Sequence, residues 1–490
     1  MTKHSPMRAA VPLLPGLELF SRGKVRDTYV LPNGNLFSVA TDGISIFDFV
    51  LNGLIPGKGV ILNAMNHFWL KYLESFGIKH HLVAAGKDID MFLPKALRGD
   101  PDLQSRAIVI RMLTMVPVEF IARALLVGSG ERSYQQYSHI CGHKLPSGLQ
   151  SGDALPCVID TPTNKALVGH DENLVASEVR EKYHKQTYLL LYIFHHASHY
   201  AKGRGIKLVD TKLEFGECGT LADEVLTPDS SRWAEFRVWE EGRKVARGRK
   251  APPSLDKQYV REWGAAQGIN ELDPKNPDHV EKVHSILFPD KLGRETNQLY
   301  RYIFWRLTGQ QIEVYLRDHM NVPVSRKEKN IAVVCGSKSD LTVIEEVLDR
   351  TPYKMWEKVV FHIMSCHRNP EEIREYAKTG CGGADVVICV GGKAFALPGV
   401  LDAQLHAFGF DIPVVGVVLG EPNSEELQAA KISIKQLPGA HVIMDDIYDE
   451  VYTGLEGFLG AVNRVQYGEL PPPKTRVQKP VQMNVFKKDY

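Results

Sequence analysis

Apolar residues recur along the chain in two rhythms. Beyond Asn330, "IAVVCG", "KVVFHIMS", "ADVVICVGG" and "IPVVGVVLG" are short Val/Ile runs, each followed by a segment long enough to cross back as a helix. Strands that are apolar at consecutive positions are buried on both faces, so this rhythm predicts an α/β doubly wound parallel sheet over residues 330–468. The earlier part of the chain mixes strands such as "LFSVA", "AIVIRML" and "IKLVDTKLEFG" with helical stretches such as "EVREKYHKQTYLLLYIFHHASHYAKG". It reads as an α+β unit over residues 1–320, closed by a helical extension that starts near Ala265. The basic, Pro-containing stretch 321–329 reads as a linker, and the Pro- and Lys-rich stretch 469–490 as a mobile tail.

Composition narrows the possibilities. A chain of 490 residues, 44% of them hydrophobic, needs two or three cores. Its formal net charge of +1 provides no global field for nucleic acid or an anionic membrane, so phosphate binding must be local. Pro12 and Pro15 interrupt the only apolar stretch near the N-terminus, and the expectation is a soluble, cytoplasmic protein without membrane contact. The seven cysteines are scattered and form no CxxC pair, which argues for reduced, structural thiols. His195, His196 and His199 have helical spacing but no acidic partner nearby in sequence, and read as a packed or surface helix face.

Candidate chemistry clusters before residue 265. In "SRGKVRDTYV", Lys24 and Arg26 follow Gly23 on alternate positions of an expected strand, so both cations would face one anion. "TDGISIFDFVL" supplies Asp42 and Asp48, and "MVPVEFIARALLVGSGERSY" places Glu119 and Arg123 on a strand leading to Gly128, Ser129 and Gly130. A guanidinium beside backbone amides and a hydroxyl suits a phosphate dianion. "LVDTKLEFG" puts Asp210, Lys212 and Glu214 on one strand face, and "LADEVLTPDSSRW" adds Asp223, Glu224, Asp229 and Arg232. Carboxylates near cations, without His or Cys, suit magnesium carried on a nucleotide.

"GKVRDTY", "TDGISIFD", "MVPVEFIARALLVGSG", "GHDEN", "DTKLEFG", "DEVLTPDSSRW" and "SLDKQYVREW" together resemble the SAICAR synthetase family from about Leu17 to Trp263. The resemblance implies an antiparallel-sheet lobe joined to a larger α+β lobe, with the active site between them. It implies that ATP activates the carboxylate of CAIR as an acyl phosphate, which the amine of aspartate then attacks. Gly23, Lys24, Arg26, Glu214 and Asp223 are implied for ATP, with Glu214 and Asp223 also holding Mg2+. Lys212 and Asp223 are implied as catalytic, and Glu119, Arg123, Ser129, His170, Asp171, Asp229 and Arg232 as substrate-binding. Arg123, Ser129 and Arg232 match the positions for the 5′-phosphate. Gly43 departs from the family, which commonly carries Arg there.

After residue 330, "IAVVCGSKSDL", "MSCHRNPEEIREY" and "CVGGKAFALPGVLDA" each place a turn after a strand, where open parallel sheets bind ligands. From about Asn330 to Val465 they resemble the AIR carboxylase and N5-CAIR mutase family. The resemblance implies that Ser337, Asp340, Ser365 and Arg368 bind phosphate and ribose, that His367 is catalytic, and that such domains assemble as homo-oligomers, commonly octamers. An imidazole can shuttle a proton near neutral pH. Ala396 stands where the mutase pattern has a second histidine, which leaves the alternative that this domain is a decayed nucleotide-binding or oligomerisation scaffold.

Overall fold

The computed structural model describes residues 3–4, 13–165, 172–242, 251–323, 329–348, 356–393, 395–421, 424–436, 442–444, 451–467 and 470. The chain divides into two compact units, Met1–Arg326 and Lys327–Tyr490. No helix among the described residues is long and apolar enough to cross a membrane. Residues 324–328 of the expected linker, and 469 and 471–490 of the expected tail, lie outside the described residues.

The first unit contains two larger sheets. One runs in the order Lys3–His4, Glu18–Arg22, Arg26–Val30, Leu36–Ala40, Ala107–Ile110, Leu82–Ala85, antiparallel apart from the pairing of Lys3–His4. The other is centred on Val118–Leu125 and Ile206–Phe215, which pair antiparallel with Arg123 opposite Asp210 and Ile121 opposite Lys212. Ser231–Glu235 and Leu221–Ala222 share the far edge of Ile206–Phe215. The two sheets are stitched together where His81 N–H donates to the Leu221 carbonyl at 3.0 Å and Leu221 N–H donates to the Lys79 carbonyl at 2.9 Å. Backbone hydrogen bonds at that seam fix the strand ends against one another, and the candidate site forms there.

The expected helical extension is present as Pro277–Ser285, Asp290–Thr308 and Ile312–Met320. Leu299, Ile303, Phe304 and Leu307 bury one stripe of Asp290–Thr308, which packs against the helix Lys58–Glu74. His195 and His199 lie exposed on the helix His184–Lys202, while His196 packs at 4.3 Å against the Phe76 ring.

The second unit is a parallel sheet ordered Val359–Ile363, Ile331–Cys335, Val386–Gly391, Val414–Val418, Val442–Ile443, with Tyr452–Thr453 also on Val414–Val418. Ile331, Val333 and Cys335 enter one core, whereas Ala332 and Val334 enter the other. This is why the strands read as unbroken apolar runs: successive side chains point to opposite faces, and helices cover both. The order 2-1-3-4-5 places a switch point between Ile331–Cys335 and Val386–Gly391.

Candidate active site

The strand expected through Lys24 is corrected by the structure. Gly23 N–H donates to the Arg26 carbonyl at 2.8 Å and Arg22 pairs with Asp27, so Gly23–Arg26 is a hairpin tip and the strand starts at Arg26. A Cβ on Gly23 would lie 3.1 Å from that carbonyl, which explains the small residue. Lys24 at the tip pairs with Asp48, and Arg26 turns toward Glu224 at 3.9 Å. Asp42 instead caps the helix Lys58–Glu74, accepting from Gly57 N–H at 3.1 Å and Gly59 N–H at 2.9 Å, and pairs with Arg106. Gly43 opens a short strand, where a Cβ would be 3.5 Å from the Thr41 hydroxyl.

Gly128, Ser129 and Gly130 form the first turn of the helix Gly128–Tyr137 rather than a separate loop. Arg123 and Arg232 converge there on one carboxylate, Asp210, at 2.7 and 2.5 Å. Arg123 also reaches the Ser129 hydroxyl at 3.4 Å, and its buried Nε has no hydrogen-bond partner. A Cβ at Gly128 would come within 2.6 Å of Arg232 Nη2, and one at Gly130 within 2.9 Å of Arg123 Nε. The glycines therefore let two guanidiniums lie against a helix N-terminus. Two cations on one anion, beside unsatisfied helix amides, leave a net positive corner suited to phosphate.

On the same strand, Lys212 pairs with Glu119 and lies 4.0 Å from Glu214, and Lys165 pairs with Glu214. Burial opposes the charge on Lys212, but Glu119, Glu214 and Asp223 hold its pKa well above the ordinary range. Burial and the Asp223 charge push Glu214 up to about 7. Asp223 is exposed in the site; the surrounding protein opposes its charge, yet Lys165, Lys212 and Arg26 hold its carboxyl below the ordinary value. Two neighbouring carboxylates, one of them pushed up by burial and by the charge of the other, form a donor set that a hard cation would relieve. Mg2+ uses one or two protein carboxylates and completes its shell with water and phosphate, so the residues fit a cation carried by a nucleotide. Among the described residues, no group of three or more His, Cys, Asp or Glu forms a self-sufficient metal cage.

Asp229 lies in the interior. Lys58 pairs with it at 2.8 Å, Lys257 at 3.7 Å, and the Tyr300 hydroxyl donates to it at 2.6 Å. Despite burial, the two lysines hold the Asp229 carboxyl far below its ordinary range, while burial pushes Lys257 down to about 8. Lys58, Lys165, Lys257 and Tyr300 escaped the sequence reading, because their significance lies in partners distant along the chain. "SLDKQYVREW" contains Lys257, so the motif was a signal for that residue alone. His170 and Asp171 lie outside the described residues.

In the second unit, Gly336 N–H donates to the Val390 carbonyl at 2.9 Å across the switch point. Ser337 follows and donates to Asp340 at 2.6 Å at the start of the helix Lys338–Leu348. Arg368 donates to the Gly336 carbonyl at 2.8 Å, and His367 N–H to the Ser365 hydroxyl at 3.3 Å. Ser337, Asp340, Ser365, His367 and Arg368 are thus gathered at one end of the sheet. Ala396 precedes the helix Leu397–Ala407, and Lys393, with φ of 57°, pairs with Glu426.

Residues 19–275 match the family model described as SAICAR synthetase, and residues 330–444 the one described as AIR carboxylase. A phosphoribosylaminoimidazole-succinocarboxamide synthase of Methylobacillus flagellatus is 37% identical over 314 residues, covering 61% of this chain and 96% of the relative. That of Thioalkalivibrio sulfidiphilus is 38% identical over 312 residues, covering 60% and 96%. The solved SAICAR synthase from Saccharomyces cerevisiae complexed with SAICAR is 31% identical, with a TM-score of 0.52, covering 62% of this chain and 98% of that one. The match over 330–444 favours an enzyme-related second domain over the scaffold alternative. The chain belongs to the SAICAR synthetase family, as a ligase of purine biosynthesis that carries an AIR carboxylase-like domain at its C-terminal side.

Proposed function

We propose that the first unit binds ATP and CAIR side by side and joins aspartate to CAIR, giving SAICAR, ADP and phosphate. The observation that carries this reading is the strand Ile206–Phe215, which presents Asp210 with its two arginines and, four residues on, Glu214 with Lys165. Four residues of strand span ~13 Å, room for a nucleoside monophosphate with its phosphate at one end and its reacting carboxylate at the other.

A carboxylate oxygen of CAIR attacks the γ-phosphorus of ATP, the bond to the β-bridging oxygen breaks, and ADP departs. The aspartate amine then attacks the acyl carbon, phosphate leaves, and the amine proton is lost to solvent. Lys212, kept charged by its carboxylate neighbours, and Arg26 stabilise charge on the transferring group, where positioning and electrostatics carry most of the catalysis. Glu214 and Asp223 would hold Mg2+, which would neutralise the nucleotide phosphates. Lys24, at the hairpin tip, can leave Asp48 to meet the triphosphate. Arg123, Arg232 and Ser129 bind the 5′-phosphate.

For the second unit we propose carboxyl chemistry on the aminoimidazole nucleotide, with phosphate held by Ser337 and Arg368 and a proton moved at the His367 ring. The protein acts in the cytoplasm and forms a homo-oligomer through this unit. The deciding assay supplies the full chain with ATP, Mg2+, CAIR and aspartate and follows SAICAR formation. His367→Asn is expected to abolish carboxyl transfer in the same preparation while ligation continues; loss of ligation alone would overturn the assignment. Light scattering reports the oligomer.

A further inference from the structure

Asp290–Thr308 lies beyond the stretch matched by the SAICAR synthetase family model, yet it grips the strand that carries Arg232 at both ends. Before the strand, the Tyr300 hydroxyl donates to Asp229 at 2.6 Å. At its end, Glu235 accepts from Tyr302 at 2.6 Å and from Arg306 at 2.9 Å. Arg306 also donates to the Arg204 carbonyl at 2.8 Å, anchoring the grip to the body of the unit. Between the two ends lie Ser231–Glu235 and the preceding turn, in which Thr227 N–H donates to the Ser230 hydroxyl at 3.1 Å. The Ser230 carbonyl accepts from Lys212 N–H at 3.0 Å, so the gripped segment is bonded directly to the central strand.

We propose that Tyr300 is a positioning residue for nucleotide binding: through Asp229, and together with the Tyr302–Arg306–Glu235 contact, it fixes the aim of Arg232 at the substrate phosphate. This rests on the assignment of that phosphate to Arg123, Ser129 and Arg232. Asp229 is also paired with Lys58 at 2.8 Å and Lys257 at 3.7 Å, so its carboxylate has a fixed orientation that the tyrosine completes. A guanidinium recognises phosphate through a planar fork, and small errors of aim in such a group are costly. The extension therefore contributes to substrate affinity without touching substrate.

The test is steady-state kinetics of the full chain. Tyr300→Phe retains the ring in its buried seat and removes only the hydroxyl. It is expected to raise KM for CAIR roughly tenfold by misaligning Arg232, with KM for ATP unchanged, and to lower the thermal midpoint because a buried carboxylate loses a hydrogen bond. Tyr302→Phe should have a smaller effect in the same direction, since Arg306 retains Glu235. Arg232→Lys should raise KM for CAIR, and adding Tyr300→Phe to it should raise KM by less than the product of the single effects, because both act through one guanidinium. An unchanged KM for CAIR in Tyr300→Phe, equal losses for both substrates, or independent effects in the double variant would overturn the positioning role while leaving the phosphate assignment intact. An unchanged KM for CAIR in Arg232→Lys would overturn the phosphate assignment itself and the inference with it.

Discussion

Arg123 and Asp210 face one another directly across adjacent strands and form a 2.7 Å ion pair inside the protein. Register thus supplies the geometry: the carboxylate is held where it can also serve Arg232, and neither arginine is neutralised outright. Arg123→Lys retains charge but loses the fork that reaches Asp210, Val127 and Ser129 together. KM for CAIR should rise more than ~10-fold while KM for ATP holds. Titration calorimetry with each substrate separately checks this, and equal losses would remove the residue from the phosphate site.

Lys212→Ala and Asp223→Ala should each lower kcat more than tenfold, about 2 kcal/mol or more of barrier, because both act where charge moves during phosphoryl transfer. Circular dichroism would establish that the variants are folded. A folded variant with ordinary turnover would exclude that side chain from the mechanism.

Gly128 has φ of 59°, and a Cβ there would lie 2.6 Å from Arg232 Nη2. Gly128→Ala should therefore combine a backbone cost of about 1 kcal/mol with displacement of the guanidinium, raising KM for CAIR. Gly148 has φ of 85° and open space around its Cβ position, so Gly148→Ala provides the comparison. It should lower stability in urea denaturation without altering KM.

Burial pushes His67 and His81 down to about 4, against 6.5 for the ordinary group. The unfolded chain binds these protons first as pH falls. Stability is therefore full above about 6.5 and declines toward about 4, by up to about 3 kcal/mol for each residue. His67 Nδ1 lies 2.8 Å from the Tyr315 hydroxyl, a contact that Gln can maintain. His67→Gln should flatten the fall in stability between about pH 7 and about pH 5, read as a smaller shift in urea midpoint. An unaltered pH slope would show that other groups govern acid sensitivity.

The second unit was legible because its information is local. Ile331 to Cys335 are apolar at every position, and only a strand covered on both faces uses such a run. Much of the candidate chemistry was legible for a related reason: a carboxylate or guanidinium carries its chemistry wherever the fold puts it, and Lys212, Glu214 and Asp223 come from neighbouring motifs that meet in one cluster. Lys24 shows where the reading failed. Alternation over three residues is the same for a strand and for a two-residue hairpin tip, and only the Gly23–Arg26 bond separates them. Gly128–Gly130 reads equally as a loop or as the first turn of a helix for the same reason.

The sequence by itself determined two units, the parallel sheet and the types of group available for phosphate and metal. Tertiary structure decided which groups meet. Lys58 has glycines on both sides in "PGKGV", and nothing in that stretch announces a wholly buried ammonium. Its stability there depends on Asp229, and Asp229 in turn on Tyr300, contributed by a helix beyond the motifs. A buried charge requires a partner within a few ångströms, and for residues far apart along the chain that distance is set by packing of the elements that carry them.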